Sequence, residues 1–410
     1  MPEPAPILQP HPQARRPLPR TLAGATVLQI VPSLRDSSAA RAALEVTAGL
    51  LQSGARAFIA GDGGALVGKL QTIGGEWIPL VNDTMNPLKL RRNAKLLERM
   101  LAAERVDIVH AYSAGAAWSA LAATAQMPMW LVTSLHEGPL PKGRLRSFYA
   151  SALARGDRVI ATSSYAAGRA IARFAIERER MAVVPRSVDT HLFDPARMDK
   201  RRLAAFRMAA RIHGGERVVL VPGRIAAANG QHVTVEAARI LADRGMRGVV
   251  FVLAGDDQSH RNYSRALIAR IKRYGLDPIF RISALFHDAA AAFAAADVVV
   301  LPSLESPVSG RLAAEAQAMA RPVIATQAGV LPECVLAPPR MPDALRSGWI
   351  VRPGQPVELA GAISTVLRLD ETAYQALAAR ARQFAQFMFS PESVVAATRA
   401  VYTSLLARDR

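Results

Sequence analysis

Two stretches of the chain combine residue types that can hold an anion, and a third places a histidine where a reacting group could stand. In "VPGRIAAANGQH" (221–232), Arg224 follows an apolar run and Asn229-Gly230 precede a helical pattern. A guanidinium can grip a phosphate bidentately, and a helix N-terminus beside it offers unpaired N–H groups to the same anion. In "LESPVSGRLAAEAQAMARPVIAT" (304–326), Gly310-Arg311-Leu312 lead into an Ala-rich helix, which Arg321-Pro322 end before a short apolar strand. Gly310 lets backbone approach an anion closely. Glu315 stands five residues further on, about 7 Å up the axis at roughly 1.5 Å per residue. That spacing fits a phosphate at the helix mouth and a sugar diol against the carboxylate. The same letters fit a plain helix start with a solvated glutamate, and Arg224 a plain surface arginine. His136 closes "MWLVTSLH" (129–136). There it can donate to a substrate oxygen, act in proton transfer, or bond to a backbone carbonyl.

These residues sit at the ends of apolar runs that repeat one grammar twice. The first half contains "TVLQIVPS" (26–33), "VDIVHAYS" (106–113), "MWLVTSLH", "DRVIATSS" (157–164) and "MAVVPRSVD" (181–189), with helical patterns between them. The second restarts at "ERVVLVPGRI" (216–225) and continues through "GVVFVLAGDD" (248–257), "IFRISAL" (279–285), "ADVVVLPS" (296–303) and "GWIVRPG" (348–354). Near-continuous apolar runs alternating with helices predict parallel sheets covered on both faces. The fold class is therefore α/β, two doubly wound Rossmann-like domains, with ligands beyond the carboxyl ends of the strands and a cleft where the domains face each other. The regular pattern lapses over 189–203, which reads as the linker. The expected division is a disordered tail over 1–22, a first domain over 23–190 and a second over 191–390.

The chain has 410 residues, too many for one ordinary core. Its net charge is +18, and only six of its 51 basic residues are lysine. The charge favours anionic partners, but it is spread along the chain, and no base-reading motif or aromatic stacking series accompanies it, which argues against nucleic acid. The single cysteine, Cys334, excludes an internal disulfide and a cysteine-built metal site. The histidines show no metal-ligand spacing, so no metal is expected. The first twenty residues are rich in Pro and Arg and have no apolar core, unlike a signal peptide. No run reaches the 18 apolar residues of a membrane span, so a cytoplasmic protein is expected. Lys89, Arg91, Arg92, Lys95 and Arg99 interleave with Leu88, Leu90, Leu96, Leu97 and Met100 as an amphipathic helix. With Lys142, Arg144 and Arg146, this helix could touch an anionic membrane surface or simply be a solvated face over a core. "GDGGALVG" (61–68) lacks the G-x-G-x-x-G spacing of a dinucleotide site.

Together "VLQIVPSL", "ERVDIVHAYSAGAAWSA", "ARGDRVIATSSY", "VVPRSVDTHLFDPAR", "VPGRI" and "GRLAAEAQAMARPVIATQAGVLPE" resemble the retaining GT-B glycosyltransferases of family 4, in particular the branch serving lipopolysaccharide and other surface polysaccharides. The resemblance covers about residues 24–408. It implies a second domain that binds a nucleotide sugar, a first domain that binds a glycan or glycolipid acceptor, and a final helix over about 391–408 that crosses back to the first domain. No cofactor is implied beyond the nucleotide-sugar donor. By position, Arg224 resembles the arginine on the donor diphosphate, and Gly310, Arg311 and Leu312 the loop whose amides cap it. Glu315 resembles the glutamate on the ribose hydroxyls, and His136 the histidine near the transferred sugar. Leu285, in "ISALFHD" (282–288), resembles the loop against the base.

The chain departs from the family's pattern at several points. Asn229 replaces a lysine, Pro307 the first glutamate of an E-x7-E pair, Ser309 a phenylalanine, Ala284 the base-loop glycine, and Ser37 and Ser38 a glycine pair. A missing lysine removes charge that steadies a leaving diphosphate. Two readings follow: a glycosyltransferase, or a catalytically degenerate relative that binds a nucleotide, glycan or partner protein. A nucleotide-sugar epimerase on the same fold has no support among these residues.

Overall fold

The computed structural model describes residues 21–82, 84–135, 143–256, 260–283, 287–306 and 309–408. The chain divides into two compact units. The first comprises residues 1–162, 167–184 and 395–410, the second residues 163–166 and 185–394. Of the expected tail, residues 1–20 lie outside the described residues. Leu22 does not belong to a tail: its apolar side chain is buried, and its carbonyl accepts from the Ala25 N–H at the foot of the first strand.

The first unit holds a sheet of strands β1 (Thr26–Ser33), β2 (Arg56–Asp62), β3 (Glu76–Pro79), β4 (Ile108–Ala111), β5 (Trp130–Leu135), β6 (Arg158–Ala161) and β7 (Met181–Val183). Their order is β3-β2-β1-β4-β5-β6-β7. The second holds β8 (Arg217–Pro222), β9 (Val249–Ala254), β10 (Phe280–Ser283), β11 (Val298–Leu301), β12 (Val323–Thr326) and β13 (Gly348–Val351). Their order is β10-β9-β8-β11-β12-β13. Every pairing is parallel, for example Val298 with Val219 and Val299 with Leu220. In each sheet the strand order reverses at one place, between β1 and β4 and between β8 and β11. Beyond the carboxyl ends of such a pair the two connections leave in opposite directions and open a crevice.

Composition explains the sheets. The runs VVFVLA, VVVL and VIAT in β9, β11 and β12 are buried throughout, and each buried Val or Leu contributes roughly 1.5–3 kcal/mol. Alanine lets the covering helices approach closely: Ala313, Ala314, Ala316 and Ala318 of helix Arg311–Ala318 are all buried. The strand expected over 181–189 stops at Val183, because Pro185 has no N–H to continue a ladder. The expected linker is not loose. Phe193 and Phe206 are buried in the second unit's core, and Asp199 caps helix Lys200–Ala209. Helix Pro391–Leu406 carries its later residues, from Val395, into the first unit. Gly49 accommodates it there, since a Cβ at that position would overlap Val395 Cγ1.

Candidate functional site

In the second unit the loops after β8 and β11 meet. Gly223 adopts φ +115, and a Cβ there would lie 3.5 Å from Leu312 Cδ1. The turn after β8 therefore rests on helix Arg311–Ala318. Gly230 adopts φ +72, and a Cβ there would overlap the Pro302 carbonyl. The Leu304 N–H donates to the Ala228 carbonyl at 2.8 Å. Helices Gln231–Asp243 and Arg311–Ala318 thus both start at the crevice, on Gly230 and Gly310. One N–H of each start meets a side chain from outside the helix: Tyr263 Oη accepts from the His232 N–H at 3.2 Å, and Ser309 Oγ accepts from the Arg311 N–H at 3.3 Å. Two helix N-termini at one crevice favour an anion through their dipoles and remaining N–H groups.

Arg224 is exposed at the mouth. Its backbone is held firmly: the carbonyl accepts from Asn229 Nδ2 at 2.7 Å and from Gln231 Nε2 at 2.8 Å. Asn229 therefore braces the arginine's loop with its amide, where a lysine would present charge. Gln231 was not singled out in the sequence, although a glutamine directly after the helix-opening glycine is a visible signal. It is 1% exposed and forms the other half of the clamp.

The structure gives Gly310 a steric reason. Its φ of −89 needs no glycine, but a Cβ there would overlap the Cys334 sulfur. Burial pushes that thiol up to about 12, so it is neutral at working pH. One turn into the helix, Glu315 is buried, with 4% of its side chain exposed, and its Oε1 accepts from Arg311 Nε at 2.5 Å. Arg311 itself is 61% exposed. Glu305, two residues out of register with Pro307, is exposed in the β11 loop, with its N–H directed at the Ala228 carbonyl. His136, Lys142, Ala284, Leu285 and Pro307 lie outside the described residues. Among the described residues no three His, Cys, Asp or Glu side chains group to hold a metal.

The first unit's switch point is built differently. Ser37 caps helix Ser38–Gln52 through the Ala40 N–H, with Ser38 as its first residue, and Ser113 caps helix Ala114–Thr124 through the Ala116 N–H. Behind these starts lies a buried polar floor. Tyr112 Oη donates to Gln29 Oε1 at 2.7 Å, and Gln29 Nε2 donates to Thr47 Oγ1 at 2.8 Å. His110, 1% exposed, lies 2.6 Å through Nδ1 from Tyr402 Oη and 2.7 Å through Nε2 from Ser134 Oγ. Hydroxyls donate or accept, so either imidazole tautomer is satisfied. Burial raises the phenols of Tyr112 and Tyr402, aided by Glu45 at the first and Tyr112 at the second, so both stay neutral. In the sequence His110 was only a letter in a strand. Within 61–68, Gly61 and Gly64 serve packing: a Cβ would overlap the Val31 carbonyl at the first and the Leu34 backbone at the second.

The architecture has close counterparts among solved structures. A glycosyltransferase from Rickettsia africae is 25% identical and superposes with a TM-score of 0.78, covering 94% of this chain and all of that one. The fold is that of the GT-B glycosyltransferases. Residues 39–192 match the family described as Glycosyltransferase Family 4, and residues 216–368 that described as Glycosyl transferases group 1. The chain belongs to glycosyltransferase family 4. Curated relatives include a D-inositol 3-phosphate glycosyltransferase of Streptomyces avermitilis, 30% identical over 68% of this chain and 58% of that protein. Another is WcaL of Escherichia coli, a putative colanic acid biosynthesis glycosyltransferase, 26% identical over 60% of this chain and 56% of that protein. The match thus takes in less than two thirds of either relative's length.

Proposed function

We propose that this chain is a retaining hexosyltransferase that moves a sugar from a nucleoside-diphosphate donor to a surface-glycan or lipid-linked acceptor. The observation that carries the reading is the crevice between β8 and β11. There, two helix N-termini, the braced Arg224 and the buried Glu315 stand at spacings suited to a diphosphate and a ribose. Charge builds on the leaving diphosphate in the transition state, and fixed N–H dipoles with a guanidinium stabilise it without reorganising. Retention is inferred from family membership. The surface-glycan acceptor rests on the sequence resemblance and on relatives such as WcaL.

The first unit has a face suited to a lipid-linked acceptor. Helix Pro87–Ala103 exposes Leu88 beside Lys89, Arg91 and Arg92, and helix Arg144–Ala150 exposes Leu145 and Phe148. Tyr149 Oη joins the two regions by donating to the Thr84 carbonyl at 2.8 Å. Exposed apolar side chains among basic ones suit the surface of an anionic bilayer. Among the described residues no helix is long and apolar enough to cross a membrane.

The test is a thermal-shift screen of UDP-, GDP- and ADP-sugars followed by a donor-hydrolysis assay, with Arg224→Ala alongside. Stabilisation and hydrolysis that both vanish in the variant are expected. Stabilisation that persists in Arg224→Ala would place the diphosphate elsewhere. One observation favours a second reading, a non-catalytic binder: Asn229 is committed to the Arg224 carbonyl where the family has a cation. Stabilisation with neither hydrolysis nor transfer would select it.

A further inference from the structure

We propose that Arg311 is a second, movable cation of the donor site. In the structure its guanidinium rests on Glu315. When a nucleoside diphosphate binds, it passes to the diphosphate, and the ribose hydroxyls take its place on the carboxylate. The inference deepens the reading of the crevice and rests on it.

Glu315 is buried, and a buried carboxylate is costly unless donors satisfy it. Arg311 is one such donor, at 2.5 Å from one turn below. The two ends of the pair differ: the carboxylate side chain is 4% exposed, the arginine side chain 61%. The carboxylate is therefore fixed, whereas the arginine is free to swing. Its root is the first residue of the helix, next to Leu312, which lies against Gly223 and hence beside Arg224. A guanidinium released from Glu315 stays tethered at the helix mouth, where the dipole favours an anion.

Charge accounting points the same way. A donor diphosphate brings about two negative charges, and position 229 supplies none, since Asn229 Nδ2 bonds the Arg224 carbonyl. Arg311 is the nearest cation in sequence to the second helix start. In the exchange Glu315 passes from guanidinium to diol while Arg311 passes from carboxylate to phosphate, so neither charge is left unpaired. A nucleoside alone must displace the arginine without offering it a new partner. The arrangement thus discriminates against nucleosides and in favour of their diphosphates.

The test is calorimetry with matched pairs, uridine and UDP, guanosine and GDP, adenosine and ADP, on the wild type, Arg224→Ala, Arg311→Gln and Arg311→Lys. Arg311→Gln should weaken diphosphate binding about ten-fold, the usual scale for losing a hydrogen bond to a charged group, and should tighten nucleoside binding. Arg311→Lys should keep most of the diphosphate affinity. A purely structural Arg311–Glu315 pair would instead weaken both ligands together. Glu315→Gln supplies an independent arm: it loosens the tether, so inorganic pyrophosphate should bind more tightly while nucleosides bind less well. Nucleoside and diphosphate affinities that fall in parallel in Arg311→Gln, or pyrophosphate binding unchanged in Glu315→Gln, would overturn the exchange. Were Arg224→Ala to abolish diphosphate binding in that case, the reading of the site would stand without it. A wild type that binds no diphosphate would overturn both.

Discussion

In the first unit the helices after β1 and β4 begin on Ser37 and Ser113, whose hydroxyls accept N–H groups of their own first turns. In the second unit the helices after β8 and β11 begin on Gly230 and Gly310, and one N–H of each is accepted from outside the helix, by Tyr263 Oη and Ser309 Oγ. The topology is the same, and the difference lies in what completes the helix ends. A hydroxyl satisfies one orphan donor at each start in both units, from the N-cap residue itself in the first and from another residue in the second. A glycine start lets neighbouring backbone pack close, as the Pro302 carbonyl does at Gly230, and Arg224 and Arg311 stand beside these starts. The interiors also differ. Behind the first switch point lies the polar floor of Gln29, Thr47, His110, Tyr112, Ser134 and Tyr402, whereas β8 and β11 at the second switch point read RVVLVP and VVVL. The second unit keeps its buried polar bonds elsewhere, as where Gln317 Nε2 donates to the Cys334 carbonyl and Ser347 Oγ to Gln317 Oε1.

This contrast can be broken from either side. The largest effect is expected in the floor. His110→Ala leaves the Tyr402 and Ser134 hydroxyls short of a buried partner and opens a cavity, and should cost about 3 kcal/mol of stability in urea unfolding. Nucleotide-induced stabilisation should persist, because the second unit is untouched. A loss below about 1 kcal/mol would mean that water fills the gap and that the floor is not a source of cohesion. Next is the second unit's turn. Gly310→Ala drives a methyl against the Cys334 sulfur and should cost about 1–3 kcal/mol, as overpacked cores do. It should also blunt the response to nucleoside diphosphates, and adding Cys334→Ala should recover part of both. An unchanged denaturation midpoint would show that the turn yields freely. The smallest effect belongs to the basic face. Sedimentation with anionic vesicles should weaken by about 1 kcal/mol for each of Lys89, Arg91 and Arg92 changed to Gln, and should fade as salt rises. A wild type that stays in solution at low salt removes the membrane from the account.

What the sequence showed depended on range. The apolar runs predict the parallel sheets because their period is local. Arg224, Gly310 and Glu315 are visible because each lies within a few residues of a strand end. Edge strand β3, EWIP, is four residues long, only half-buried and closed by Pro79, so no period marks it. The reason for Gly310 lies 24 positions away in Cys334, where no local pattern points. His110 and Tyr402 are 292 positions apart. The spacing of Arg311 and Glu315 is plain in the sequence, but the family resemblance gives Arg311 only a backbone amide; the geometry lays its side chain on the carboxylate.

Because residues 395–410 belong to the first unit while 185–394 make up nearly all of the second, the order of synthesis and the order of completion are reversed. On a ribosome adding about 5–20 residues per second, roughly ten to forty seconds separate the last strand of the first sheet from the helix that seals it. Throughout that interval His110 lacks its Tyr402 partner, and the face at Gly49 lacks Val395. The second unit, continuous over nearly its whole length, can close in the meantime. The part of the nascent chain most in need of protection from aggregation is therefore the half that was made first.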